Sequence, residues 1–177
     1  MTKRHLKGFS LIEILVVITI LAIVAAVAAP QLGSRDDLKL ASASRMLMSD
    51  LMYAQSRSIS QQKKHYVQFA GQQYFLIARN AAGTALDQIA HPLNPGNYIV
   101  SLDAGALSGL SLIETTFGNA SIVGFDELGS PLQYNASDGT STPLTTTGII
   151  RLQSGQQIMT IMIEPYTGEM SVASGAQ

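Results

Sequence analysis

The chain has 177 residues and no cysteine, which excludes thiolate metal sites, thiol catalysis and disulfide staples. A domain built from it outside the cytoplasm must hold together by packing alone. Charge is scarce as well: 13% of the residues are charged, against about 25% in soluble domains. The hydrophobic share is 46%, a departure in the direction that a membrane segment produces. Catalytic signatures are also missing, with no HExxH, GxSxG, P-loop or dinucleotide fingerprint. His5, His65 and His91 are separated singles, and the acidic pairs Asp36-Asp37 and Asp126-Glu127 read as a helix start and a solvated turn. No catalytic, metal or cofactor site is expected, and the chain reads as a non-enzyme.

A length of 177 residues leaves room for one globular domain plus an anchor, since a core that stands alone needs on the order of 100 residues. Net charge is −1, but three of the eleven basic residues, Lys3, Arg4 and Lys7, fall in the first eight positions, where there is no acid. The remainder carries eight basic against twelve acidic residues. A mildly acidic body has no general attraction for nucleic-acid phosphates.

Residues 9–29 form an apolar run in which only Ser10, Glu13 and Thr19 are polar. As a helix this run would extend about 32 Å, enough for a bilayer core of about 30 Å. The basic residues ahead of it predict a cytoplasmic N-terminus and an extracytoplasmic remainder. The alternative is an ordinary secretory signal cleaved near residues 26–29, which are small enough to imitate such a site. Glu13 speaks against it, because a carboxylate inside an apolar run costs a few kcal/mol in lipid and a disposable signal gives it no purpose.

After Pro30 and a short polar break, Leu40, Ala43, Leu47, Leu51 and Ala54 recur at steps of three and four. That spacing predicts an amphipathic helix over residues 36–60, with Ser42, Arg45, Ser49, Asp50 and Arg57 largely off the stripe and Met46, Met48 and Met52 broadening it as core filler. Asp36 and Asp37 suit the positive end of its dipole. From Lys64 onward the period changes to that of strands. HYVQF and QYFLIAR around Gly71 read as a hairpin, followed by candidate strands at 98–102, 110–115, 121–125, 149–153, 157–164 and 169–172. Residues 135–148 lack an apolar pattern and read as a flexible loop. The expected fold is α+β, a long N-terminal helix whose amphipathic second half packs on an antiparallel sheet.

The run Lys7-Gly8-Phe9-Ser10-Leu11-Ile12-Glu13 resembles the class III signal of type IV pilins and pseudopilins, a basic leader ending in Gly, then an aromatic residue, then Glu four positions later. Pro30 falls where that family commonly has a helix-disturbing proline, whereas Ala22 replaces a glycine often found there. The resemblance implies that a prepilin peptidase cuts between Gly8 and Phe9 and that Phe9 is then N-methylated. It also implies that Glu13 pairs with the Phe9 amine, its own or a neighbour's, when apolar helices bundle, and so sets axial register. The alternative for Glu13 is a carboxylate tolerated near the interface by snorkelling. On this reading residues 1–8 are a cleaved leader, 9–30 a membrane-spanning and filament-core helix, 31–60 the amphipathic helix and 61–177 a periplasmic β-rich head.

Residues 40–69, together with SIVGFDELGSP, TTGIIRLQSG and QQIMTIMIEPYTGEMSV, resemble the GspH/FimT group, including a Gly-x-hydrophobic element at 168–172. That resemblance implies a minor pseudopilin or minor pilin, a structural subunit that initiates or caps a type II secretion pseudopilus or a type IV pilus. The implied partners are other pilin-like subunits, the prepilin peptidase and an inner-membrane assembly platform. The implied location is the inner membrane, single-pass, with the head periplasmic. A DNA-uptake or adhesive minor pilin is the alternative, because some members of the group bind DNA and Lys63-Lys64-His65 with Tyr66 is the densest basic cluster. Two lysines at a turn are more commonly just solvated, and GEMSVASGAQ contains no basic residue, so nucleic acid is not expected as a partner.

Gly8→Val should leave the precursor uncut with Lys3, Arg4 and Lys7 attached, while the natural protein should begin at methylated Phe9. Mass spectrometry of the mature N-terminus checks this; a terminus after Ala28 or Ala29 would show an ordinary secretory signal.

Overall fold

The computed structural model describes residues 10–28, 34–83 and 85–176. Helix α1 is Leu11–Ala28, apolar on all sides apart from Glu13 and Thr19, and every described side chain along it is exposed. Its 18 residues extend about 27 Å. Among the described residues no helix is long and apolar enough to cross a membrane; both ends of the expected 21-residue run, Phe9 and Ala29, lie outside them.

Residues 36–177 form a separate compact unit. Helix α2, Ser34–Gln61, carries Asp36 and Asp37 in its first turn. Its end is set by Gln62, which turns left-handed at φ 50°, and by the Lys63 N–H donating to the Ser58 carbonyl at 3.2 Å. The Gln62 side-chain amide donates to the Ile59 carbonyl at 2.8 Å, satisfying a terminal acceptor that the helix leaves open. The stripe residues Leu40, Ala43, Leu47, Leu51 and Ala54 are all buried.

Eleven strands follow among the described residues, and every pairing is antiparallel. They are β1 His65–Ala70, β2 Gln73–Arg79, β3 Leu86–Gln88, β4 Ile99–Ser101, β5 Ser111–Thr116, β6 Ile122–Phe125, β7 Pro131–Asn135, β8 Thr140–Pro143, β9 Gly148–Ser154, β10 Gln157–Ile163 and β11 Met170–Ala176. They make two sheets rather than the single one expected from sequence: β3-β2-β1-β6-β7-β8, with β4 also on β2, and β11-β10-β9-β5. The core draws on all three layers. Stripe residues of α2 cluster with Val67, Phe69, Tyr74 and Phe125 of the first sheet and with Ile150, Leu152, Ile161 and Ile163 of the second. The alternation along β1 sends Tyr66 to the opposite face, where it joins Ile77 and Ile122 in a small second cluster. Gly124 makes room there, since a Cβ on it would lie 2.3 Å from the Tyr66 ring.

Three further sequence expectations are corrected. Asp50, placed off the stripe, is only 9% exposed; it follows Leu47 by three and precedes Ala54 by four, so helical geometry puts it on the buried side. Met52 is exposed instead of widening the core. Residues 135–148 are not a loop throughout: β8 pairs with β7 around a turn in which Gly139 takes φ 71° and the Asp138 carboxylate accepts the Thr140 N–H at 2.9 Å. The segment hides from an apolar-pattern search because β8 is an edge strand of Thr, Ser, Thr and Pro with no buried residue.

With no disulfide to compensate, Leu47→Ala should cost about 2–5 kcal/mol. Urea denaturation of a fragment beginning at Asp36 measures it, and a change within about 0.5 kcal/mol would place Leu47 on the surface.

Candidate functional site

Gly8 and Phe9 lie outside the described residues. Glu13 sits in the first turn of α1, exposed, where the Ser10 carbonyl accepts the N–H groups of Glu13 and Ile14 at 3.0 and 3.2 Å. A carboxylate near a helix N-terminus meets the positive end of the dipole. Leu11, Ile12, Ile14, Leu15, Val16 and Val17 surround it in sequence and are exposed hydrophobics. The arrangement presents one acid on an otherwise apolar rod.

In the head, the basic cluster proves smaller than the sequence suggested. His65 is buried, and its Nε2 accepts from Arg57 Nε at 3.2 Å, so Nδ1 carries the proton and donates to the Lys63 carbonyl at 2.8 Å. The His65 N–H donates to Ser58 Oγ, which in turn donates to the Ala54 carbonyl. This ring ties the end of α2 to the start of β1. Burial pushes the His65 pKa down against the opposing effect of the Lys63 carbonyl, with the cations of Arg57 and Lys63 adding to the depression. Its contribution to stability is therefore present above the ordinary histidine range and lost as pH falls through the depressed value.

Tyr66 is buried on the far face with its hydroxyl 2.9 Å from Ser141 Oγ, so it does not stand beside the lysines to stack on a base. Lys63 and Lys64 line an open groove of about 500 Å³ with Arg79, Glu127 and residues 80–83. The Arg79 guanidinium is committed to the carbonyls of Gly83 and Gly139, at 3.0 and 2.7 Å, and the groove also carries the opposite charge of Glu127. Elsewhere Asp126 Oδ1 accepts the N–H groups of Leu128 and Ser130, making it a turn former. His91 Nδ1 accepts those of Leu93 and Asn94 and its ring stacks on Tyr98. No group of three or more His, Cys, Asp or Glu side chains able to hold a metal occurs among the described residues.

The polar cluster that sequence reasoning missed is centred on Asp50. Tyr74 donates to Oδ2 at 2.5 Å and Tyr98 to Oδ1 at 2.8 Å, joining α2 to β2 and to the segment ahead of β4. Burial raises the Asp50 pKa, opposed by the two tyrosine hydrogen bonds and by His91. Burial and the carboxylate together push both tyrosines up. A second polar anchor is Gln55, whose amide donates to the Gly129 carbonyl at 2.9 Å. A Cβ on Gly168 would come within 2.8 Å of that amide, and one on Gly129 within 2.9 Å of Ile59. Both glycines have positive φ, so two tight turns settle on α2 only because neither carries a side chain. Leu128 and Tyr166, in those turns, are 83% and 65% exposed.

The prokaryotic N-terminal methylation motif matches residues 3–29, a stretch that contains Gly8, Phe9 and Glu13. No curated protein matches the chain. Among solved structures it is similar to the minor pseudopilin EpsH from the type 2 secretion system of Vibrio cholerae, with 10% identity and a TM-score of 0.56, over 77% of this chain and 97% of that one. At that identity the likeness is one of fold: an N-terminal helix leading into an antiparallel head, α+β and pilin-like.

Tyr74→Phe should destabilise the head by about 1.5–3 kcal/mol at neutral pH, the usual range for a hydrogen bond to a charged group. The removed hydroxyl favours the ionised carboxylate, so the loss should shrink as pH falls and Asp50 protonates. Denaturation of both forms at acidic and neutral pH reads this; equal losses at both would show that Asp50 does not change its protonation between them.

Proposed function

We propose that the chain is a minor pseudopilin or minor pilin, made as a precursor, cut between Gly8 and Phe9, methylated on Phe9 and built into a filament. The observation that carries this reading is the conjunction of a methylation motif at residues 3–29 with a head of pseudopilin fold. Neither half is a catalytic device, which supports a structural subunit rather than an enzyme. A place at the start or tip of the filament follows from the resemblance of the head sequence to the GspH/FimT group.

The anchor chemistry agrees. As one helix, the run of residues 9–29 that contains α1 would reach about 32 Å, sufficient for the inner membrane. Lys3, Arg4 and Lys7 would hold its N-terminus in the cytoplasm and leave the head periplasmic. In lipid Glu13 carries a cost of a few kcal/mol. In a bundle of such helices that cost is offset when the carboxylate meets the amine freed at Phe9, and the pairing fixes how far one subunit rises above the next. Other pilin-like subunits, the prepilin peptidase and an inner-membrane platform are the partners this requires. The burial of His65 and Tyr66 speaks against a nucleic-acid-binding head.

Glu13→Leu should insert in the membrane at least as well as the natural chain, since Leu is favoured at such depth, and cleavage after Gly8 should continue. Incorporation into sheared filaments, and with it secretion or pilus function, should fall. Normal assembly of the variant would remove the register role from Glu13.

A further inference from the structure

A sheet edge offers a row of unpaired N–H and C=O groups, and proteins blunt such edges with short strands, proline, bulges or charge. In this head, four of the five free edges among the described residues are blunted. β3 and β4 have three residues each. β8 has four and ends in Pro143. β5 is bulged between Leu112 and Glu114, carries that charge, and has its Leu112 N–H taken by Gln72 Oε1 at 2.7 Å.

β11 has none of these protections. Met170–Ala176 pairs residue for residue with β10, without a bulge, and contains neither charge nor proline. Residues 171–175 are exposed on both faces. The Glu164 N–H donates to the Glu169 carbonyl at the turn, so the antiparallel alternation turns the backbone groups of Ser171 and Ala173 inward to β10 and those of Val172 and Ser174 outward.

We infer that the outer edge of β11 takes an extended, uncharged strand from a different filament subunit, added antiparallel or parallel to complete the second sheet. Serine, alanine and glycine on both faces leave room for the incoming side chains. Among the described residues the other edges are the blunted ones, so a second copy of this chain offers no comparable strand for head-to-tail pairing. Edge-to-edge pairing of two β11 strands would close a two-fold dimer, which the polar filament of the proposed function does not accommodate. The inference rests on that proposed function.

The test uses the full-length chain in its own cells, with the photo-crosslinking residue p-benzoylphenylalanine at Ala173. One crosslinked product is expected, joining this chain to another subunit with a methylated N-terminus, with the linked peptide mapping to a strand of that subunit. Ser174→Pro removes an outward N–H and no β10 bond, and should lower the product at least tenfold. Val172→Lys, which places charge on the open edge without touching the backbone, should do the same. A product containing two copies of this chain, a product indifferent to both substitutions, or no product overturns the inference. The N-terminus of the same sample is read in parallel: a chain cleaved at Phe9 without the product sinks strand addition alone, whereas an uncleaved chain sinks the filament reading.

Discussion

Everything in the head depends on burying one side of α2. A chain without cysteine has no covalent clamp, and neither sheet closes a core unaided. Leu40, Ala43, Leu47, Leu51 and Ala54 supply the surface that Val67, Phe69 and Tyr74 of one sheet and Ile150, Leu152 and Ile161 of the other share. Apolar burial has no direction, so polar pegs fix how the layers meet. Asp50 aligns the helix with Tyr74 and Tyr98, Ser58 and Arg57 grip His65, and Gln55 holds the turn at Gly129. Removing a single peg leaves its partners buried without a mate, which is why such groups cost more when broken than they contribute when made.

The two ends of the molecule are built on opposite solutions to the same problem. α2 is apolar along one stripe and hides it within its own chain. α1 is apolar on every side and its described side chains are exposed, the surface that the proposed function assigns to lipid and then to neighbouring helices. The only acid between Ser10 and Ala28 lies in its first turn, where the dipole favours it. On the function proposed above, a subunit that leaves a bilayer for a bundle needs an anchor satisfied by both surroundings and one group that distinguishes them.

Much of this was readable in the residue order. The period of 3.6 gave α2 and its buried stripe, and the strand formers around Gly71 gave the first hairpin. β9 and β10 lie close to their expected positions. The N-terminal methylation motif was legible because its residues adjoin one another and need no fold to bring them together. What escaped has physical reasons. Asp50 was read by its chemistry instead of its angle on the helix, and its tyrosine donors lie 24 and 48 positions away. β8 was hidden because an edge strand with nothing buried keeps no alternation, and β7 because its two buried residues, Pro131 and Leu132, are adjacent instead of alternating. The pairing of strands into two sheets, not one, depends on contacts such as β5 with β9 that no local pattern encodes. Tyr66 and His65 looked like surface companions of the lysines, yet strand geometry sends them into two different interiors.

The ring of bonds that ties the end of α2 to His65 also decides how the head bears load. Tension carried along α2 enters the sheet at β1, which lies between β2 and β6 and not at a margin. Ladder bonds run across the strands, so a pull along β1 strains both flanking ladders in shear, many bonds at once, where a marginal strand would peel open bond by bond. The head is thereby joined to α2 at an interior strand, one held by a ladder on each side.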